Sequence, residues 1–521
     1  MKYSRLSIFL FGFVCAIALL FSVRGLPGNP TAQELVTPVW KDHGPLELSP
    51  ERGRFALLYS VVEDRSLFFS LPVARLATPD LARNPDGKFV SLFAPLLSFL
   101  LIPGYLIGKF FGASVVGATL VVAIAAFANA FLIRAIALRL GAGKNAASLG
   151  ALTFLLATPA FPYATTLYQH HFSVLFLLSA ILLLLSNRGF LSLALVFFLL
   201  VSGIALDNPN AILFLPVGLW ALSRILSFRT SDTESVRVSF RPLLLFSGFF
   251  AVIPLLFFLW YNSLANGNPF TLSGTLPSVV AISSDGSPLS TDPNQIPRDR
   301  LEREASEKTA VGFFQTRALL NGFLIHLTSP DRGALWFTPV IFLGFFGFAV
   351  LFVRKEYGIL RVLLGTSLLT FLLYSLWSDP WGGWAFGSRY LIPAYAMLSI
   401  GIAIALESRK RSFIFLAAFF LLFSFSLSVN TLGAITSIAN PPKVQVLELE
   451  ALSGKEQKYT VMRNWQALEQ NTSTAFLYRS VLHRFFGAIP YGVSLFIFVV
   501  VSAFLFLYAL LRESSFPSRR V

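Results

Sequence analysis

Apolar residues in this chain come in long, nearly unbroken blocks separated by short polar stretches, rather than in the alternation of a half-buried sheet or the stripe of a surface helix. Crossing roughly 30 Å of hydrocarbon takes about 20 such residues. Blocks that meet or approach this length fall at 6–23, 113–133, 146–162, 172–185, 189–206, 211–226 and 242–260, then at 334–353, 357–377, 391–406, 412–432 and 491–511. A backbone in hydrocarbon must satisfy its own hydrogen bonds, so each block is expected to be helical. The pattern predicts an all-α polytopic membrane protein with about 12 transmembrane helices.

The basic residues orient these helices. With Lys2 and Arg5 inside, one side collects Arg134, Arg139 and Lys144, then Arg224, Arg229, Arg237 and Arg241, then Arg354 and Lys355, then Arg409, Lys410 and Arg411, and last Arg512, Arg519 and Arg520. That side is expected to be cytoplasmic, with both termini on it. The assignment holds only if a further apolar stretch, 91–111, does not cross; Pro95 and Pro103 fit a re-entrant or interfacial helix there. Three long segments, about 24–90, 261–333 and 433–490, then lie outside, and loops of that length are usually functional. The expected organisation is a transmembrane domain over 1–436, a third outer loop over 437–490, and a last helix with a basic tail over 491–521. No A-x-A site follows the first block, which reads as an uncleaved anchor. No internal repeat stands out.

Composition supports the membrane class: 55% of residues are hydrophobic, 13% are charged, and the mean hydropathy is +0.70. The formal charge of +15 is dispersed between the apolar blocks, so it reads as membrane orientation and argues against a nucleic-acid partner. Cys15, the one cysteine, lies in the first block and permits no intramolecular disulfide. The five histidines lack HExxH or Cys/His spacing and the outer loops contain no DxD, so neither a metal nor another cofactor is expected.

Candidate chemistry sits in the outer segments. Ser49-Pro50-Glu51 reads as a helix start with Ser49 as N-cap. Phe55, Leu58, Tyr59 and Val62 then recur at i, i+3, i+4 and i+7, the pattern of an amphipathic helix lying in the membrane interface. Glu51 and Arg54 are one turn apart; Glu51 is the first candidate for a general base, although complementing the helix dipole would equally explain an acid there. Asp80 and Asp86 are further acid candidates, with Asp86-Gly87 also a good turn dipeptide. Around 377–390, Arg389 could grip a phosphate while Trp381 and Trp384 stack on a sugar, beside Tyr390; an aromatic belt with an anchoring arginine is the plainer reading. Arg332 repeats the boundary-arginine pattern next to Gly333. His170 and His171 could donate to phosphate or be structural. Asp207-Asn208-Pro209-Asn210 reads as a helix-breaking turn and 298–308 as a solvated charged helix.

In order along the chain, the acid-bearing first loop, Gly53-Arg54-Phe55-Ala56-Leu57, Asp86-Gly87, Ala94-Pro95, Tyr261-Asn262, Gly267-Asn268-Pro269, Ser329-Pro330-Asp331-Arg332-Gly333 and Gly382-Gly383-Trp384-Ala385-Phe386-Gly387-Ser388-Arg389-Tyr390 resemble the GT-C polyprenyl-phosphate-sugar-dependent glycosyltransferases. Within that superfamily they resemble in particular the bacterial protein mannosyltransferase and aminoarabinose transferase type. The resemblance implies an extracytoplasmic active site, in a bacterial cytoplasmic membrane, where a first-loop carboxylate deprotonates a glycan, lipid or protein acceptor as the polyprenyl phosphate leaves. Glu51 stands where many relatives carry Asp or an Asp-Glu pair, and Arg332, Arg389 and His170 would supply fixed positive charge. Without a clear second carboxylate as nucleophile, a single displacement with inversion is the simplest course. Two rival readings are a transporter or lipid flippase and a non-catalytic envelope assembly protein. Transporters usually place ionisable groups near the midplane and show repeated halves, whereas the acids here concentrate in outer loops.

Overall fold

The computed structural model describes residues 2–186, 189–230, 236–289 and 312–515. The expected charged helix at 298–308, and Arg519 and Arg520, lie outside the described residues. Among the described residues the fold is nearly all helix, with three small antiparallel sheets. Among the described residues, six helices are long and apolar enough to cross a bilayer: Ser114–Arg139, Phe246–Asn266, Tyr357–Ser375, Arg389–Ser408, Phe413–Ile435 and Ala488–Glu513. Shorter apolar helices occupy Leu6–Ser22, His170–Ser186, Phe190–Leu206, Leu215–Ile225 and Pro339–Val353. The block at 146–162 folds as Lys144–Leu156 followed by Ala160–Tyr163, interrupted at Pro159.

The centre of the bundle is the helix Ile392–Ser408, enclosed by Lys144–Leu156, Gly344–Val353 and Tyr357–Ser375. Small residues set the approach: a Cβ on Gly347 would lie 1.9 Å from the Gly401 carbonyl oxygen, and one on Gly150 2.7 Å from that of Ser399. Apolar area gives little drive between helices in lipid, so close backbone contact of this kind supplies dispersion instead.

Side-chain contacts define two ends. At one, Gly143 N donates to Glu407 Oε2 at 2.9 Å, Asn145 Nδ2 to Glu513 Oε1 at 2.9 Å, and Arg354 Nη1 to the Leu140 carbonyl at 3.2 Å. Arg139, Lys144, Arg354, Arg409, Lys410 and Arg512 therefore gather at a common end. At the other, Arg24 pairs with Glu47 at 2.5 Å and donates to the Gly433 carbonyl at 3.0 Å, while Ile438 N donates to Glu47 Oε2 at 2.9 Å. Helix Ser114–Arg139, with Thr119 Oγ1 donating to the Arg24 carbonyl at 2.9 Å, separates the two ends by about 39 Å. The first and third long segments thus interlock. The second joins them through Ser278–Val279, which pairs with Leu81–Arg83, itself paired with Phe89–Ser91.

The stretch 91–111 stays at this loop-bearing end. It forms two short helices, Leu96–Leu100 and Ile102–Phe110, with Pro103 at the start of the second. Ser98 Oγ donates to the Arg54 carbonyl at 2.9 Å, Tyr105 OH to Glu63 Oε1 at 2.9 Å, and Lys109 pairs with Glu63 at 2.7 Å, so its beginning, middle and end all rest on the first-loop helix and the turn that follows it.

That first-loop helix, Ser49–Tyr59, corrects two expectations. Its N-cap is Leu48, not Ser49. The Glu51 side chain reaches back to Leu48 N, whereas the Ser49 hydroxyl is turned away onto Asp80 at 2.6 Å. Nor does it leave one face exposed, as an amphipathic helix would. Every residue from Gly53 to Tyr59 is buried, because Leu71–Ala77 and Leu96–Leu100 pack against it and cover Ala56 and Leu57 as well as the expected stripe.

Candidate active site

At the loop-bearing end a cavity of about 410 Å³ opens between the first-loop helix, the turns at 168–170 and 207–209, and the residues flanking 377–390. Among the described residues its charged wall residues are Arg54, Asp207 and Arg389, with His170 also on the wall. Two guanidiniums against one carboxylate leave the cavity net positive.

Each of these groups is fixed by the element that carries it. Arg54 projects from the buried first-loop helix and donates to the Pro50 carbonyl at 2.9 Å and to Gln169 Oε1 at 2.6 Å. Gln169 Nε2 passes the contact on to Asp207 Oδ2 at 2.9 Å. Asp207 ends the helix Phe190–Leu206 in an extended conformation (φ −161°, ψ 118°), two residues before Pro209. Burial raises its carboxyl pKa above the ordinary value; the Gln169 hydrogen bond and the two arginines oppose that rise.

Arg389, in a 3-10 turn leading into the central helix, is 7% exposed. Its Nη2 donates to the Gly382 carbonyl at 2.9 Å, while Nε and Nη1 find no acceptor. Its guanidinium lies 4.4 Å from the Tyr168 ring centroid, and that of Arg54 lies 5.2 Å from the same ring, so one aromatic face system serves both cations. His170 stacks parallel to Tyr168 at 5.7 Å, its Nε2 unpartnered. Tyr390 stacks on Tyr374 at 4.3 Å. The remaining wall is mostly apolar, with Ile212, Leu272 and Phe314 beside Phe313, which stacks on Trp377 at 5.3 Å, and with Asn208 and Thr275 as its polar members.

Other predicted residues lie behind this wall. Arg332, 1% exposed, donates to the carbonyls of Asp331, Trp381, Gly383 and Asn440 at 2.7–3.1 Å, so its hydrogen bonds go to the chain itself; it clamps the turn whose Gly382 carbonyl receives Arg389. Glu51 is 1% exposed and outside the cavity wall. Its carboxylate accepts from Leu48 N at 3.4 Å and from Leu167 N at 3.2 Å, tying the helix start to the turn that carries Tyr168 and Gln169. Burial pushes its pKa up to about 7 against the pull of Arg24. Asp80 holds Ser49, and Asp86 is exposed in the hairpin turn between Leu81–Arg83 and Phe89–Ser91. The His171 ring meets the Ala160 carbonyl at 2.8 Å. Trp384 donates to Gln445, and neither it nor Trp381 reaches the wall.

Arg54, His170, Arg389 and Tyr390 are thus the predicted residues that the fold brings together. The sequence reading missed Gln169, Trp377 and the place of Asp207 on the cavity wall, and it missed His326. The buried His326 ring holds Ser388 Oγ at 2.9 Å through Nδ1 and the Tyr374 carbonyl at 3.1 Å through Nε2, linking both sides of the Arg389 turn. The Tyr168-Gln169-His170 triplet and the Asp207-Asn208-Pro209 break were the available signals. Among the described residues no cluster of His, Cys, Asp or Glu could hold a metal ion.

No family model and no curated protein matches this chain. A solved structure of the oligosaccharyltransferase of Archaeoglobus fulgidus, in the apo form, aligns with 93% of it at 14% identity and a TM-score of 0.36. The chain spans about half of that protein, 56% of its length.

Proposed function

We propose that this protein is a GT-C-like membrane glycosyltransferase of about twelve spans that moves a sugar from a polyprenyl-phosphate donor to a glycan, lipid or protein acceptor. The observation that carries this reading is the cavity itself: two guanidiniums around Tyr168, one with unsatisfied donors, meeting an apolar aromatic wall. A lipid phosphate needs both halves. Fixed positive charge stabilises the phosphate as it leaves, and apolar surface receives its chain. In the reaction the acceptor oxygen bonds to the anomeric carbon while the carbon–oxygen bond to phosphate breaks. The electron pair departs on the phosphate oxygen, and a single displacement inverts the centre. The basic cluster at the far end of the bundle supports an extracytoplasmic cavity. A position at one end, rather than midway along the helices, favours an enzyme over a transporter.

Transfer of radiolabelled sugar from a panel of polyprenyl-phosphate sugars, by purified protein in lipid nanodiscs, tests the proposal. Wild type turns over with at least one donor, and Arg389→Ala loses on the order of 100-fold or more. Folded wild type that is silent with every donor would reject the reading in favour of transport or assembly.

A further inference from the structure

We infer that Asp207, and not Glu51 of the first loop, is the catalytic residue that takes the acceptor proton; this rests on the glycosyltransferase reading above. Of Glu51, Asp80, Asp86 and Asp207, only Asp207 stands on the cavity wall. Its Oδ2 is engaged by Gln169 Nε2, while Oδ1 makes no hydrogen bond among the described residues. The side chain is half-buried, so the free oxygen can meet a hydroxyl entering from the cavity. The chain Arg54 to Gln169 to Asp207, with contacts of 2.6 and 2.9 Å, fixes the carboxylate's direction and links it to one of the cations expected to face the phosphate. Glu51 has the opposite environment: its oxygens point at the backbone amides of Leu48 and Leu167, and it lies behind the wall. The proton balance is simple. The acceptor O–H gives its proton to Asp207 Oδ1 as the new carbon–oxygen bond forms, and the phosphate departs with the electron pair of the broken one. Asp207 then returns the proton to solvent or to the departing phosphate.

The test uses the full-length protein in nanodiscs with whichever polyprenyl-phosphate sugar supports wild-type turnover, comparing Asp207→Asn, Asp207→Glu, His170→Gln and Glu51→Gln. General-base removal costs roughly 10²–10⁴ in rate. The expected result is a kcat fall in that range for Asp207→Asn, with donor KM within about threefold and melting temperature close to wild type, and a smaller fall for Asp207→Glu. Should Asp207→Asn fail to fold, the Asp207→Glu kcat decides, since a base displaced by one methylene still slows the proton step while leaving donor binding intact. Asp207→Asn or Asp207→Glu at wild-type kcat overturns the assignment, as does the large fall appearing instead in His170→Gln or Glu51→Gln; either leaves the glycosyltransferase reading in place. Wild type inactive with every donor removes that reading, and the inference with it.

Discussion

At the residue scale the site depends on which buried polar atoms find partners. Arg332 and Arg389 look alike in sequence, each an arginine beside a small residue at a helix boundary. Folding separates them: Arg332 spends its donors on backbone carbonyls, whereas Arg389, on the cavity wall, keeps Nε and Nη1 buried without an acceptor. Sequence cannot distinguish these fates, because the carbonyl of Asn440 comes from a segment more than a hundred positions away. Glu51 was legible as a helix-start acid, and that is how it is used. Its burial carries a pH signature. The folded pKa of about 7 stands above the ordinary 4.5, so the folded state keeps a proton that the unfolded chain has released. The associated stability is fully present below 4.5 and is lost as pH rises through 7. Its size is on the order of 1–3 kcal/mol. Melting temperatures of the purified protein between pH 5 and 8 should show a downward slope with rising pH that is flattened in Glu51→Gln; the same slope in both proteins would contradict this account.

At the element scale, block length and proline placement were readable, since both are local. Each apolar block acquired a helix, and the proline-bearing 91–111 stretch broke into two short ones. What could not be read was coverage. The first-loop helix showed one apolar stripe, but its neighbours arrive from later in the chain and bury the other face, so the amphipathic reading failed. Asp207 was hidden for a related reason: Pro209 correctly announced a helix end, yet only packing decides that this end meets Gln169 and Arg54. The turn at 381–383 is the element on which Arg389, the proposed phosphate grip, rests, and Arg332 is its clamp. Arg332→Ala leaves several carbonyls without their donor, at a cost on the order of 3 kcal/mol. Hydrogen exchange should quicken in 377–390, and the donor KM should rise more than kcat falls. Unchanged exchange there would show that the turn holds itself. His326→Gln, which keeps one of the two ring contacts, should give a milder form of the same shift.

At the scale of the whole molecule, the positive-inside pattern and the packing agree on which loops share an end, and they make a joint demand on the 91–111 stretch. If it stays with the outer loops, an odd number of expected spans, seven, separates Asp86 from Glu356, and the two residues face opposite sides. If it crosses, the number becomes even and they share a side. Both positions are exposed, and the native Cys15 is buried in the first helix, so single cysteines at either place have little background to compete with. In intact cells a membrane-impermeant maleimide should label Asp86→Cys directly and Glu356→Cys only after permeabilisation. Labelling of both from outside would make 91–111 a complete span and reverse the orientation of every later basic cluster. The cavity would keep Arg389 and Asp207 together, but its relation to the cytoplasmic face would have to be argued anew. Opposite labelling would put the basic ends in the cytoplasm and leave the cavity on the other side of the membrane, where the proposed lipid carriers would have to present their sugars.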